Sequence, residues 1–135
     1  MKEPIIHEFD PVIYPARLWV GINPPFEYID NKFYGLNSEM ERIPFGKEQH
    51  EVDSFVVART HAVTDKESGW IGIFVSIYKP KMMTTNFISH ESAHCADFIC
   101  ENFGIQHGGF DNGEAYAYLI GWIADCIEKV KLNKL

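Results

Sequence analysis

The chain has 135 residues, a length that suits one domain with a single hydrophobic core. Nineteen acidic and twelve basic residues give a formal charge of −7, and such a chain lacks the basic face that nucleic acids and anionic membranes select. A composition of 46% hydrophobic and 23% charged residues is typical of a soluble globular protein. We therefore expect neither a nucleic-acid nor a membrane partner.

The sequence predicts a cytoplasmic protein, or one exported by a route that this chain does not encode. Its longest strongly apolar stretch, Trp70–Tyr78, is too short to cross a bilayer, and the first ten residues lack the apolar run of a signal peptide. The three cysteines, Cys95, Cys100 and Cys126, are odd in number and form no CxxC pair, which argues against a disulfide framework. We expect them to be buried, reduced side chains.

The stretch Val12–Ile22 is the first strand candidate, because it is apolar and aromatic. Pro15 within it predicts an edge strand or a strand that breaks in two. A less regular segment follows, and there we expect a short helix around Ser38–Arg42.

Two further strand candidates, Phe55–Val63 and Trp70–Tyr78, lie close together in the sequence. The polar connector between them ends in Gly69, which is typical of a hairpin or of a short loop between neighbouring strands.

A helix is predicted after these strands, with Thr84 or Thr85 as its cap and an end near Phe103. Its apolar residues fall mostly at spacings of three and four, and Gly104 is a suitable terminator.

A last helix is predicted from about Asp111 to Val130, because a broad apolar stripe runs along it and lysines follow at its end.

The predicted fold class is α+β: a small mixed or antiparallel sheet of three or four strands packed on two long C-terminal helices. We expect one domain, with a strand-rich half in residues 1–80 and the helices and their glycine-rich loop in residues 84–131. The first of these helices should be central and the last should cover it.

The first of these helices contains the motif HExxH, formed by His90, Glu91 and His94. Residues four apart on a helix lie one turn apart on the same face, so the two imidazoles can bind one metal ion. Glu91 lies about 100° round the helix from His90 and can reach a metal-bound water as a general base. The motif therefore supplies two zinc ligands and a base, and it lacks a third ligand.

Glu114 is the main candidate for the third ligand, twenty residues after His94 and in the first turn of the predicted last helix. Two alternatives remain open. Asp111 and Glu114 also fit a capping box, in which they would only stabilise the start of that helix. His107 and Asp111 are further candidate ligands.

HExxH on one helix, with a glutamate about twenty residues later on the next, resembles the gluzincin metallopeptidases, the thermolysin-like branch of the zincins. The resemblance covers about residues 70–130. It implies a zinc-dependent activity with His90, His94 and Glu114 as ligands and Glu91 as the base that activates water. It also implies that Trp70–Tyr78 is an edge strand along which an extended substrate lies.

The metzincin branch fits less well, because it has Gly and His where this chain has Asp97 and Cys100. Tyr118 stands where thermolysin-like enzymes usually have an aspartate that supports a zinc-bound histidine. Short single-domain proteins with HExxH also occur among phage and prophage proteins, which this chain resembles in general form.

Four residues are candidates for supporting roles, each with a simpler structural alternative. Tyr118 could stabilise the oxyanion or support a ligand, or it could pack between the two helices. His107 could donate to the oxyanion or be an ordinary loop residue. Asp97 and Asp125 could orient the histidines, or they could be solvated acids. Cys95 lies on a different face from His94 and has no identifiable base, so we do not expect it to be a nucleophile.

The sequence thus predicts a zinc-dependent hydrolase, a metallopeptidase that cleaves an amide bond in a peptide or protein substrate with Glu91 as general base. The alternative from a different class is a zincin-like domain with weak or no catalysis that works as a binding or structural module. A third interpretation is that HExxH occurs by accident. The strand edge implied by the zincin layout could also pair with a second copy, giving a homodimer.

Overall fold

A six-stranded mixed sheet forms the centre of the α+β fold in the computed structural model, which describes residues 5–47, 54–106 and 109–133. These ranges also contain three α-helices and a 3-10 turn at Pro80–Met82. The strands are β1 (Ile6–Phe9), β2 (Arg17–Ile22), β3 (Phe33–Leu36), β4 (Arg42–Ile43), β5 (Ala58–Asp65) and β6 (Ile71–Ile77), and the helices are α1 (Phe26–Lys32), α2 (Thr85–Phe103) and α3 (Glu114–Leu132).

The strand order in the sheet is β1-β2-β6-β5-β3-β4. β2 and β6 run parallel, and every other neighbouring pair is antiparallel. The predicted number of three or four strands is therefore wrong. β1, β3 and β4 were not predicted, and with four residues or fewer each is too short to show a clear alternation of apolar and polar residues.

The three predicted strands are present with shifted ends. β2 begins at Arg17, after Pro15, and lies between β1 and β6. The prediction of an edge strand or of two strands is therefore wrong, because the chain before and at the proline is a bend and only the part after it pairs in the sheet. β5 and β6 form the predicted hairpin, with Thr64 opposite Ile71. Gly69 in their connector has φ +79°, a conformation that favours glycine.

The prediction that Trp70–Tyr78 is an edge strand is wrong. β6, which occupies this stretch, pairs with β2 on one side and with β5 on the other. Its continuous apolar run is explained by burial on both faces of the sheet, since Phe74 and Val75 point to opposite sides and are both fully buried.

The prediction of a short helix around Ser38–Arg42 is also wrong. The side chain of Asn37 accepts hydrogen bonds from the backbone N–H groups of Glu39 and Glu41, and this closes a turn before β4. Asparagine side chains commonly compete with a helix in this way.

Helices α2 and α3 form one layer on one face of the sheet. α2 contacts β5 and β6, whereas α3 contacts β2, and the two helices pack against each other. The prediction that the last helix covers the first is thus wrong, because they lie side by side. Under them, β2 and β6 contribute buried residues such as Leu18, Val20 and Ile73. A second cluster on the opposite face includes Trp19, Phe33 and Phe74, with Ile29 of α1.

The predicted end of the first long helix is confirmed, since Gly104 ends α2 in the left-handed conformation with φ +69°. α3 begins at Glu114 with Gly113 at the N-cap, where no side-chain cap bond occurs. The alternative that Asp111 and Glu114 form a capping box is therefore wrong, because Glu114 is the first helical residue rather than the third. The helices of the described ranges are not long and apolar enough to span a membrane.

Candidate functional site

The two histidines of HExxH converge on the exposed side of α2. Their Nε2 atoms lie 3.2 Å apart, and the rings meet edge to face with centroids 4.7 Å apart. Two imidazole nitrogens that bind one tetrahedral zinc ion at its usual bond length are about 3.3 Å apart. The pair therefore fits a zinc ion, although a hydrogen bond between two neutral rings has a similar length.

Glu91 leaves α2 on the side nearer the sheet, about 100° round the helix from His90, and only 6% of it is exposed. Its carboxylate accepts a hydrogen bond from the hydroxyl of Thr60 on β5. Thr60 was not identified in the sequence, since it lies 31 residues before Glu91 and the contact depends on how α2 packs on the sheet. This threonine fixes the orientation of the carboxylate beside the histidine pair.

Cys95 lies one turn after Glu91 and is fully buried. Burial, and then the charge of Glu91, raise the pKa of the Cys95 thiol far above its ordinary value. The thiol is therefore protonated and is not a nucleophile, in agreement with the sequence-based expectation. Cys100 and Cys126 are also free and buried, so the prediction of buried, unpaired cysteines is confirmed.

A cleft opens to solvent on both sides of Glu91, between α2 and the first part of β5. One opening, of about 390 Å³, contains His94, and the other, of about 260 Å³, contains His90. The first is also lined by Ala58, Arg59, Thr60, Ala62, Ile73 and Phe98. The second is also lined by Phe55, Val56, Val57, Ala58, Asn86 and Phe87. The motif is thus accessible to a ligand larger than water.

Glu114 does not lie with the histidine pair in this structure. Tyr116 faces α2, where its hydroxyl donates a hydrogen bond of 2.9 Å to Asp97. Glu114 is two residues earlier, so its side chain leaves α3 about 200° round the helix from that of Tyr116, on the far side from α2. Across the part of the chain that the structure describes, no three His, Cys, Asp or Glu side chains are grouped so that they could bind a metal ion.

Tyr118 lies on the same side of α3 as Glu114 and is 74% exposed. It lines a separate groove with Ile13 and Tyr14, away from the cleft. The structure therefore brings together His90 and His94, with Glu91 beside them, and it does not bring Tyr118 to them.

Other titratable side chains of the helices and the sheet have simple structural surroundings. Burial first, and then the hydrogen bond with Asp97, raise the pKa of Tyr116 to about 12, so this phenol stays protonated. Asp125 is exposed on α3. The ring of His61 lies on the opposite face of the sheet, 5.0 Å from that of Phe45. The predicted roles of His107 fall outside the described residues.

No family model matches the chain, and no curated protein and no solved structure is significantly similar to it.

Proposed function

We propose that this protein is a zinc-dependent hydrolase of the metallopeptidase type, with a zincin-like site on α2. One observation supports the proposal above all others: two histidine nitrogens 3.2 Å apart lie next to a buried, oriented carboxylate in an open cleft. His90 and His94 would bind the metal through their Nε2 atoms.

A zinc ion bound there would lower the pKa of water and polarise a carbonyl group. Glu91 is the general base in this proposal. Its carboxylate takes a proton from the attacking water and then transfers that proton to the departing amine, which breaks the amide bond. Thr60 keeps the carboxylate turned toward the cleft, so that little reorganisation is needed when a substrate binds.

The third ligand has three candidates from the sequence. Catalytic zinc sites usually have three protein ligands, and the resemblance to gluzincins assigns the third to Glu114. In this structure Glu114 faces away from α2, so its recruitment would need the first turn of α3 to rotate. His107 and Asp111 are the other candidates. The assignment of His90, Glu91 and His94 does not depend on which of the three completes the site.

A binding module without turnover is the second candidate function. The observation that favours it is the position of Glu114, because a preformed set of three ligands is not found within residues 5–47, 54–106 and 109–133. Such a module would bind zinc or a peptide in the same cleft without cleaving it.

The experiment that separates the two candidates is hydrolysis of a mixture of quenched fluorescent peptides by the zinc-loaded protein. We expect cleavage that stops with a chelator and falls by about 10²-fold or more in Glu91→Gln, while zinc binding is retained. Glu101→Gln, at an exposed position of the same helix, is the matched control and should cleave normally. An unchanged rate in Glu91→Gln would contradict the proposed mechanism, and zinc binding without any cleavage would favour the binding module.

A further inference from the structure

A second concave surface lies on the far side of α3 from the catalytic candidate. This groove has a volume of about 430 Å³ and is formed by the loop before β2 and by α3. Its lining is almost entirely apolar and aromatic: Pro11, Ile13, Tyr14, Ala115, Tyr118, Leu119 and Trp122. The proposed hydrolase does not use this surface.

The loop that forms one wall is fixed in an unusual conformation. Val12 has φ +68°, in the left-handed region that a β-branched residue rarely adopts. Its N–H donates to Asp10 (2.7 Å), and the N–H of Ile13 donates to the carbonyl of Pro11 (2.7 Å). Asp10 also pairs with Arg17 at 3.2 Å. As a result Val12 and Ile13 are 82% and 76% exposed.

The aromatic rings of the groove have polar groups available for a ligand. Within the described residues, the hydroxyls of Tyr14 and Tyr118 and the indole N–H of Trp122 form no hydrogen bond with another protein group. Flat rings with hydrogen-bond donors are the usual surface that binds polyproline II segments, which have no internal hydrogen bonds and offer their carbonyl oxygens.

Two exposed acids of α3 lie just before and just after the helix residues that line the groove. Glu114 precedes Tyr118 by one turn, and Asp125 follows Trp122 by nearly one turn, so the four residues lie in one row along α3. The two acids are eleven residues apart, which is about 16 Å along a helix. A polyproline II segment covers that distance in about five residues.

We infer that this groove binds a proline-rich, extended segment of a partner protein that has a basic residue at each end. The apolar rings contact the prolines, and Glu114 and Asp125 pair with the basic residues. An acidic chain with charge −7 also attracts such a segment at long range. This inference places Glu114 at the groove. The proposed hydrolase does not rest on that placement, because His107 and Asp111 are also candidates for its third ligand.

The test uses three fluorescein-labelled hexapeptides and measures their fluorescence anisotropy. The probe is Lys-Pro-Leu-Pro-Pro-Arg. One control has the same core with a glutamate at each end, and the other is Lys-Ser-Gly-Ser-Gly-Arg. We expect saturable binding of the probe at micromolar to sub-millimolar concentration and binding at least about tenfold weaker for each control.

Three variants connect this binding to the groove. Tyr118→Ala and Trp122→Ala should weaken binding of the probe by about tenfold or more. Tyr118 is largely exposed, so its variant should keep the melting temperature of the wild type. Glu114→Gln with Asp125→Asn should remove most of the preference for basic ends.

Several results would overturn the inference. These are absence of saturable binding to the wild type, equal binding of the acidic control, and equal binding to wild type and Tyr118→Ala. Sedimentation gives a further check: if wild type is a dimer and Tyr118→Ala is a monomer, a second copy of the chain covers the groove instead.

Discussion

The hydroxyl of Thr60 on β5 donates a hydrogen bond to the buried carboxylate of Glu91 on α2. This contact joins the HExxH helix to the sheet at the middle of the cleft. It aligns the side chain that would act as the base, and it supplies a donor to a carboxylate that has little access to water.

Thr60→Val should destabilise the protein, because valine has a similar shape but cannot donate to Glu91. A buried carboxylate without its donor costs about 1–3 kcal/mol. Urea unfolding measures this change, and Thr60→Ser, which keeps the hydroxyl, is the control that should recover most of the loss. Equal stability of Thr60→Val and wild type would show that the bond does not contribute to folding.

Gly72 and Gly121 should respond to alanine in opposite directions. A Cβ atom on Gly72 would lie 1.9 Å from the backbone oxygen of Arg17, so Gly72→Ala must push β6 away from β2. We expect the free energy of unfolding to fall by about 3 kcal/mol or more, or the protein not to fold.

Gly121 on α3 has open space around it, and Gly121→Ala should raise the free energy of unfolding by about 0.5–1 kcal/mol through helix propensity. Thermal unfolding measures both, and a stable Gly72→Ala would contradict the parallel pairing of β2 and β6.

Asp65 should make stability depend on pH. Burial raises the pKa of Asp65. Hydrogen bonds from Ser68, together with the hydrogen bond and the positive charge of Lys32, lower it by more, so the pKa falls below its ordinary value of 3.8. A carboxyl whose pKa is lower in the folded state stabilises the fold above the unfolded-state pKa, and this stabilisation is lost as the pH falls through the folded-state pKa.

Asp65→Asn should therefore reduce the free energy of unfolding by about 1–3 kcal/mol near neutral pH. The difference from wild type should shrink below about pH 4. Urea titrations of both proteins at several pH values measure it. A difference that stays constant down to strongly acidic pH would show that the Asp65 carboxylate does not stabilise the fold.

Local sequence patterns were sufficient for features that depend on neighbours along the chain. The convergence of His90 and His94 follows from the four-residue spacing on a helix. The end of α2 follows from Gly104, and the hairpin of β5 and β6 follows from two apolar runs around a polar connector.

Features that depend on tertiary packing were not predictable in the same way. The contact of Thr60 with Glu91 requires the position of α2 over β5, and the central place of β6 requires β2 to pair with it in parallel. The side of α3 on which Glu114 lies is set by the packing of Tyr116 and Asp97. A spacing of twenty residues in the sequence contains no information on that rotation.

Isothermal titration calorimetry of zinc into the metal-free protein tests the central claim most directly. The account predicts about one zinc ion per chain for wild type. In the variant with both His90→Ala and His94→Ala the affinity should fall by about 10²-fold or more. His7→Ala, which removes a histidine from β1, is the control and should bind zinc normally. Wild type that takes up no zinc, or a double variant that binds zinc as well as wild type, would contradict the account.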